Sequence, residues 1–383
     1  MSHVNSQNII DIKPMSKEQL DLALAITDLT TDSQNHAIKI LLDDLVQKFN
    51  QIGGNFNVEI LRKSPISNVA NNFDRLLFPP ENLGRSSIYT RYIDEKRLLR
   101  THTSAMIPES LDELSKQKFD DKILVLPGLV YRRDVSDKTH SGCFHQVEVW
   151  RVTRNVKYKR KDLIKLVQTI FQVMMPGFEP KIYEAKHPYT LDGIEVYAVV
   201  DGKEIEILEA GIAHPEVLKK SGIDTENYSG LALGMGLERI LMVRKSIPDI
   251  RLIRSINPKI AVQMTNLETY KPVSLMPGVT RDMSYSVPQT YTEEDVSDDI
   301  RIAIGDEIGL LEEVQILQEI AYSNLPDIAK DKLGIKNNQK NILVKITLRS
   351  LEKTLTKEYV NTLIDKIYKE VNKSGTKAYG NID

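Results

Sequence analysis

The stretch CFHQVEVWRVT, residues 143–153, alternates large apolar and polar side chains with a period of two. That pattern fits a strand with two unlike faces. One face takes His145, Val147 and Val149; the other takes Gln146, Glu148 and Trp150. Cys143 and Trp150 are the chain's only cysteine and tryptophan, and His140 lies just upstream. A structural zinc site needs four ligands at tight spacing, and no second cysteine exists to supply them. A cysteine nucleophile with His145 as base needs an orienting third group, which nothing nearby provides. The alternation instead leaves Gln146 and Glu148 as an acceptor pair on one sheet surface, suited to a ligand's ammonium group. The preceding strand ends in VYRRD and brings Arg132 toward the same surface. An arginine beside an acceptor pair suits a zwitterion next to a phosphate.

The rest of the chain sets that strand in an α+β frame. Residues 16–50 read as helical, with Ile38, Leu41, Leu42, Leu45, Val46 and Phe49 on one face and Gly53-Gly54 as the stop. NFNVEILRKSP, RLLRTHTSA, KILVLPGLVYRRD, GIEVYAVVDG and KEIEILEAGIA read as strands, and a helix is expected from about Lys161 to Met174. SGLALGMGLERILMVRKS reads as strand, tight glycine turn and helix. Prolines 258, 272 and 277 mark a linker. Beyond it, a strand (TRDMSYSVP), a helix capped by Thr292 with Asp295 three residues on, two strands, an amphipathic helix and a short strand in TKAYG give the order βαββαβ of a ferredoxin-like unit. The expected boundaries are 1–255, a linker at 256–279, and 280–383.

Composition narrows the classes. The net charge is −2 over 383 residues, so no global field points to a polyanionic partner. Charge is uneven locally: residues 282–327 carry one Lys/Arg against twelve Asp/Glu, and residues 330–383 carry twelve against six. A lone cysteine forms no internal disulfide, no run approaches the roughly 18 apolar residues of a membrane span, and the N-terminus shows neither a signal core nor an arginine-rich leader. These features lead to the expectation of a cytoplasmic protein with no membrane contact.

The motifs carry a resemblance. GLVYRRD…THSGCFHQVE resembles motif 2 of class II aminoacyl-tRNA synthetases in the form of phenylalanyl-tRNA synthetase catalytic chains, and LALGMGLERI resembles motif 3. NNFD, RLLRTHTSA, HPYTLDGIEVYAV and EILEAGIAHPEVL are similar to the same family in the same order, over about residues 35–255. The C-terminal unit resembles that family's ferredoxin-like anticodon-binding domain, fused here to the catalytic chain as in the single-chain mitochondrial form. The resemblance implies ATP-dependent activation of phenylalanine, or a close aromatic relative, and its transfer to tRNA, with tRNA-Phe as the expected partner. It implies a monomer or homodimer without a β chain, with ATP and Mg²⁺ and no zinc. By resemblance, Arg132 contacts the α-phosphate, His140 reaches phosphate, Phe144 stacks on adenine, Arg239 covers its other face, and Glu206 is the candidate Mg²⁺-linked carboxylate. His102, Ser104, Gln146 and Glu148 surround the amino acid's ammonium. His187 and Tyr189 flank its ring, with Ala232 and Gly234 beneath. Candidate tRNA contacts are Lys340, Lys345, Arg349, Lys353 and Lys357.

LGMGLER also resembles a dinucleotide fingerprint, but it lacks the third glycine and a following βαβ unit. The chain departs from the synthetase pattern at the ring end. His187 and Tyr189 stand where the family has phenylalanines, Glu209 stands at a position that is glycine in many relatives, and Leu231 and Leu233 replace phenylalanines. A site that gains polar groups favours a substrate with a polar ring, because unpaired buried polar groups are costly. The alternative expectation is therefore a paralogue that activates a substrate such as meta-tyrosine for non-translational biosynthesis or transfer.

Overall fold

The computed structural model describes residues 12–51, 57–133, 138–273, 276–350 and 352–372, with the side chains of Glu294 and Lys332 left aside. The chain divides into two compact units. The first holds the described residues up to Arg133, together with Cys143–Ile247 and Met264–Thr269; the second holds 138–142, Pro248–Gln263 and the chain from Tyr270 on.

In the first unit the elements are α1 (Lys17–Leu24), α2 (Ala37–Gln51), β1 (Asn57–Ile60), β2 (Ile66–Asn68), α3 (Val69–Asn72), β3 (Arg97–Leu99), α4 (Ile107–Leu114), β4 (Asp121–Tyr131), β5 (Cys143–Arg154), α5 (Arg160–Met174), β6 (Lys181–Glu184), β7 (Thr190–Val200), β8 (Lys203–Ala213), α6 (Pro215–Lys220), β9 (Tyr228–Gly236) and α7 (Leu237–Lys245). Seven strands form one sheet in the order β1-β4-β5-β9-β8-β7-β6, with β1 parallel to β4 and every other pair antiparallel. The apolar alternation of β5 and β9 buries Val147, Val149, Leu231, Leu233 and Met235 on one face. On the other face Trp150 and Ala232 are covered by a cluster with Met106, Ile107, Leu111, Leu126 and Tyr189. Farther along the same face Gly234 and Gly236 are half-exposed, so the covering layer stops there.

Several expectations change in this unit. The helix expected over 16–50 is two helices, because Ser16 caps α1 with Gln19 and the chain turns between Leu24 and Ala37. Within α2 the expected apolar face holds, with Val46 only half-buried at its edge. RLLRTHTSA is a strand only over Arg97–Leu99, and Thr103–Met106 wind into a 3₁₀ turn. No separate turn divides LALGMG from the helix: β9 runs to Gly236, which is itself the N-cap residue of α7. Leu231 and Leu233 lie on the face opposite Ala232.

In the second unit α8 (Pro258–Ala261) precedes β10 (Val279–Pro288), α9 (Glu293–Ile304), β11 (Leu311–Ala321), α10 (Asp327–Leu333), β12 (Gln339–Leu348) and α11 (Lys357–Val371). The three strands form an antiparallel sheet in the order β10-β12-β11. Ile342, Val344, Ile346 and Leu348 of β12 pack against Val296 and Ile300 of α9 and Val360 and Ile367 of α11. Thr292 and Asp295 make the expected capping box. α10 adds a short helix that the sequence reading lacked, and the strand expected in TKAYG lies outside the described residues. Arg251 ties the segment after α7 to this unit by donating to the carbonyls of Gly309 and Leu311 at 3.0 Å each.

Candidate active site

β5 separates structure from chemistry by its two faces. On the back, His145 is fully buried. Its Nε2 accepts from the Leu29 backbone N–H at 2.9 Å, which leaves the proton on Nδ1 to donate to Glu238 Oε1 at 2.6 Å. The His145 backbone N–H donates to the other Glu238 oxygen at 2.7 Å. A histidine with both nitrogens engaged is a fixture, not a base. Glu238 sits in the first turn of α7, where a carboxylate also meets the helix dipole favourably.

On the front, Glu148 accepts from the Ser104 hydroxyl at 2.7 Å and from the Trp150 indole N–H at 2.8 Å. Burial pushes its carboxyl up to about 8, against the lowering effect of those two hydrogen bonds. A carboxylate so placed gains from a cation that shares its burial. Gln146 Oε1 accepts from the Thr103 backbone N–H at 3.2 Å, so the 3₁₀ turn of RTHTSA aligns both acceptors. His102 precedes that turn. Both its ring nitrogens are shielded from solvent, and the Asn72 backbone lies beside the ring. Burial, with Arg132 nearby, lowers His102 to about 4, so the ring is neutral. Its ring stacks on Phe78 at 5.5 Å, and Phe78 meets Tyr189 at 6.1 Å.

The phosphate-side candidates form two pairs. Arg132 Nε donates to the Thr101 carbonyl at 2.9 Å, and its guanidinium sits 5.3 Å over the Phe144 ring. Arg132 thus covers one face of the Phe144 ring. Arg239 Nη1 lies 3.5 Å from Glu206 Oε2. Burial raises Glu206, and Arg239 opposes that shift. Among the described residues no cluster of three or more His, Cys, Asp or Glu is arranged to hold a metal. One carboxylate here suits a Mg²⁺ whose other ligands are phosphate oxygens and water. His140 belongs to the segment that groups with the second unit, where its Nδ1 lies 3.0 Å from the Thr139 hydroxyl; the structure does not gather it into one unit with Arg132 and Phe144.

At the ring end, Tyr189 donates its hydroxyl to Glu209 Oε1 at 2.9 Å, and His187 Nε2 lies 3.1 Å from Glu209 Oε2. Burial alone would raise Glu209, but the His187 contact and the Tyr189 hydrogen bond outweigh it and lower the carboxyl. Burial opposes protonation of His187, yet Glu209 raises it overall. Ala232 is buried beside Trp150, its partner across the strands. Glu209, Phe78, Trp150 and Glu238 were not among the sequence-derived site residues. Glu209, as a departure from the family pattern, and Trp150, on the same strand face as Gln146 and Glu148, gave signals of their own.

The candidate tRNA residues are not one stripe. Lys340 is paired with Glu319 at 2.7 Å, and Arg349 with Glu312 at 2.5 Å and the Met276 carbonyl at 2.6 Å. Lys345 is half-buried on β12; Lys353 and Lys357 are exposed before and at the start of α11. The basic excess read from the sequence is thus partly neutralised by acids distant along the chain.

Residues 19–264 match the family described as tRNA synthetases class II core domain (F), and residues 274–377 match the ferredoxin-fold anticodon binding domain. A phenylalanine–tRNA ligase, chloroplastic/mitochondrial, of Arabidopsis thaliana is 31% identical over 88% of this chain and 76% of its own length. The chain belongs to the phenylalanine–tRNA ligase family of class II tRNA synthetases. The mitochondrial phenylalanine–tRNA ligase of Saccharomyces cerevisiae is 25% identical over 92% of this chain and 90% of its own. The α subunit of the Prochlorococcus marinus MED4 ligase is 34% identical but reaches only 62% of this chain. A pyrrolysyl tRNA synthetase structure from Desulfitobacterium hafniense superposes with a TM-score of 0.46 at 18% identity, covering 63% of this chain and 78% of its own. Two relatives that span most of this chain are chloroplastic/mitochondrial and mitochondrial enzymes, which overturns the cytoplasmic expectation. A single cysteine can form no internal disulfide in any compartment, so it does not select the cytoplasm.

Proposed function

We propose that the chain activates phenylalanine with ATP as the aminoacyl-adenylate and transfers it to tRNA. The observation that carries this reading is the front face of β5 in a family-matched core, where the acceptors Gln146 and Glu148 are held by Thr103 and Ser104 of the adjoining 3₁₀ turn. Glu148 and Gln146 orient the amino acid, with Ser104 and Trp150 holding the Glu148 carboxylate. His102, neutral and buried, lines the same end beside Phe78. The substrate carboxylate attacks the α-phosphorus of ATP and pyrophosphate leaves. Arg132 stabilises charge that grows at the α-phosphate in the transition state, and Phe144 stacks on adenine. Arg239 meets the nucleotide from the α7 side. Mg²⁺, when bound, neutralises phosphate charge, with Glu206 as its protein carboxylate. Tyr189, His187 and Ala232 bound the side chain, and Gly234 lies beneath the ammonium end.

The second unit takes the anticodon end of the tRNA, in keeping with its anticodon-binding family match; the substrate tRNA is tRNA-Phe. Lys353 and Lys357 are its best-exposed candidate phosphate contacts, and Lys340, Lys345 and Arg349 contribute less freely. The meta-tyrosine paralogue is not favoured: two relatives that match most of this chain are phenylalanine–tRNA ligases, and His187 is engaged by Glu209. The test is phenylalanine-dependent ATP–pyrophosphate exchange followed by charging of tRNA. Exchange driven by another amino acid and not by phenylalanine would overturn the reading.

A further inference from the structure

Three neighbouring strands set one row of residues across the open face of the sheet. Glu148 of β5 is the register partner of Gly234 of β9, and Gly234 is the register partner of Glu209 of β8. Two carboxylates therefore flank a glycine. Both lean over it. A Cβ built on Gly234 would lie 3.2 Å from Glu148 Oε2 and 3.6 Å from Glu209 Oε1. The backbone of Gly234 is ordinary extended strand, so conformation does not demand glycine here; the space above it does. Like charges leaning toward one point across a sheet destabilise it unless something positive sits between them.

We propose that Glu209 is a second carboxylate for the substrate's ammonium group, facing Glu148 across Gly234. The inference rests on the phenylalanine-activating reading above and extends its ammonium site by one residue. Glu209 has the capacity for this role. Its Oε2 meets His187, its Oε1 accepts from Tyr189, and a carboxylate offers about four acceptor positions, so acceptor capacity remains on the oxygen nearest Gly234. Its side chain is crowded by protein yet 36% exposed, as befits a group lining an open face. The division of charge points the same way. Burial keeps the Glu148 carboxyl protonated up to about 8, while His187 and Tyr189 hold Glu209 ionised. The charge that meets an incoming ammonium near neutral pH is then that of Glu209. Binding a cation over Gly234 lets Glu148 ionise as well, because the cation relieves both burial and mutual repulsion.

The experiment separates contact with the ammonium from support of the ring. Calorimetry on the full chain measures Kd for phenylalaninol, which carries the ammonium, and for 3-phenylpropan-1-ol, which lacks it. In Glu209→Gln we expect phenylalaninol to weaken on the order of 10-fold, the size of one lost charge-assisted contact. The 3-phenylpropan-1-ol Kd should stay within about 2-fold, since it makes no such contact. Tyr189→Phe, which keeps the carboxylate, should shift both probes alike. Equal weakening of both probes in Glu209→Gln, or no change in either, overturns the inference, as does failure of the wild type to distinguish the probes. If Glu209→Gln does not fold, Glu209→Asp is read the same way, since it keeps the charge but withdraws it from Gly234. Because the probes are read by binding, loss of the Glu209 effect and loss of phenylalanine-dependent exchange are separate results, and only the second touches the proposed function.

Discussion

The two faces of β5 treat buried polar groups in opposite ways. Behind the sheet, His145 and Glu238 use their hydrogen-bonding capacity on each other and on backbone, and no ligand could enter without breaking that frame. In front, Glu148 accepts, among the described residues, from Ser104 and Trp150, sits opposite a glycine, and is pushed up to about 8 by burial. Burial alone does not separate a structural group from a functional one; unspent acceptor capacity facing open space does.

The sharpest break of that contrast lies at the front. Arg132→Ala should lose on the order of 10²-fold or more in exchange rate, the usual size for one electrostatic group in a transition state. Near-normal exchange would remove Arg132 from the chemistry. At the back, Glu238→Ala strands two buried donors of His145 and should cost about 2–4 kcal/mol of stability. Thermal unfolding should register it, while KM for phenylalanine in the folded variant stays near wild type. The reverse outcome, a raised KM at unchanged Tm, would make the back face functional.

Glu148 sharpens the comparison through pH. Its folded carboxyl is raised from 4.5 to about 8, so the stability of the neutral form is fully present below 4.5 and is lost as pH rises through 8. Tm of the ligand-free wild type should therefore fall between these limits more than that of Glu148→Gln, which cannot ionise. Parallel profiles would show that Glu148 ionises without penalty. The same distinction between spent and unspent charge runs through the second unit. Replacing Lys353 and Lys357 together by alanine should reduce the salt dependence of tRNA binding by up to about two phosphate contacts. Lys340→Ala, whose charge is already met by Glu319, should alter it less. Equal effects would show that the Lys340–Glu319 pair opens on binding.

Local pattern made much of this legible. Period-two alternation assigned His145 to one face and Gln146 and Glu148 to the other, and the structure agrees residue by residue. The 3.6-residue pattern found the cores of α2 and α11. It did not show the break between α1 and α2, or the coiling of THTSA into a 3₁₀ turn, because both depend on what the segments pack against. The pairing of Lys340 with Glu319 was equally hidden, since it joins different strands.

What the sequence determined by itself, then, is periodicity and chemical inventory: which residues share a face, which are acids, and which motifs stand in order. Those properties are local, and two or four residues suffice to state them. Only the tertiary structure decided that β8 lies beside β9 and β9 beside β5, so that Glu209, 61 positions beyond Glu148, leans over the same glycine. Strand neighbourhood is set by how the whole sheet buries its two apolar faces, and no window of sequence contains that decision.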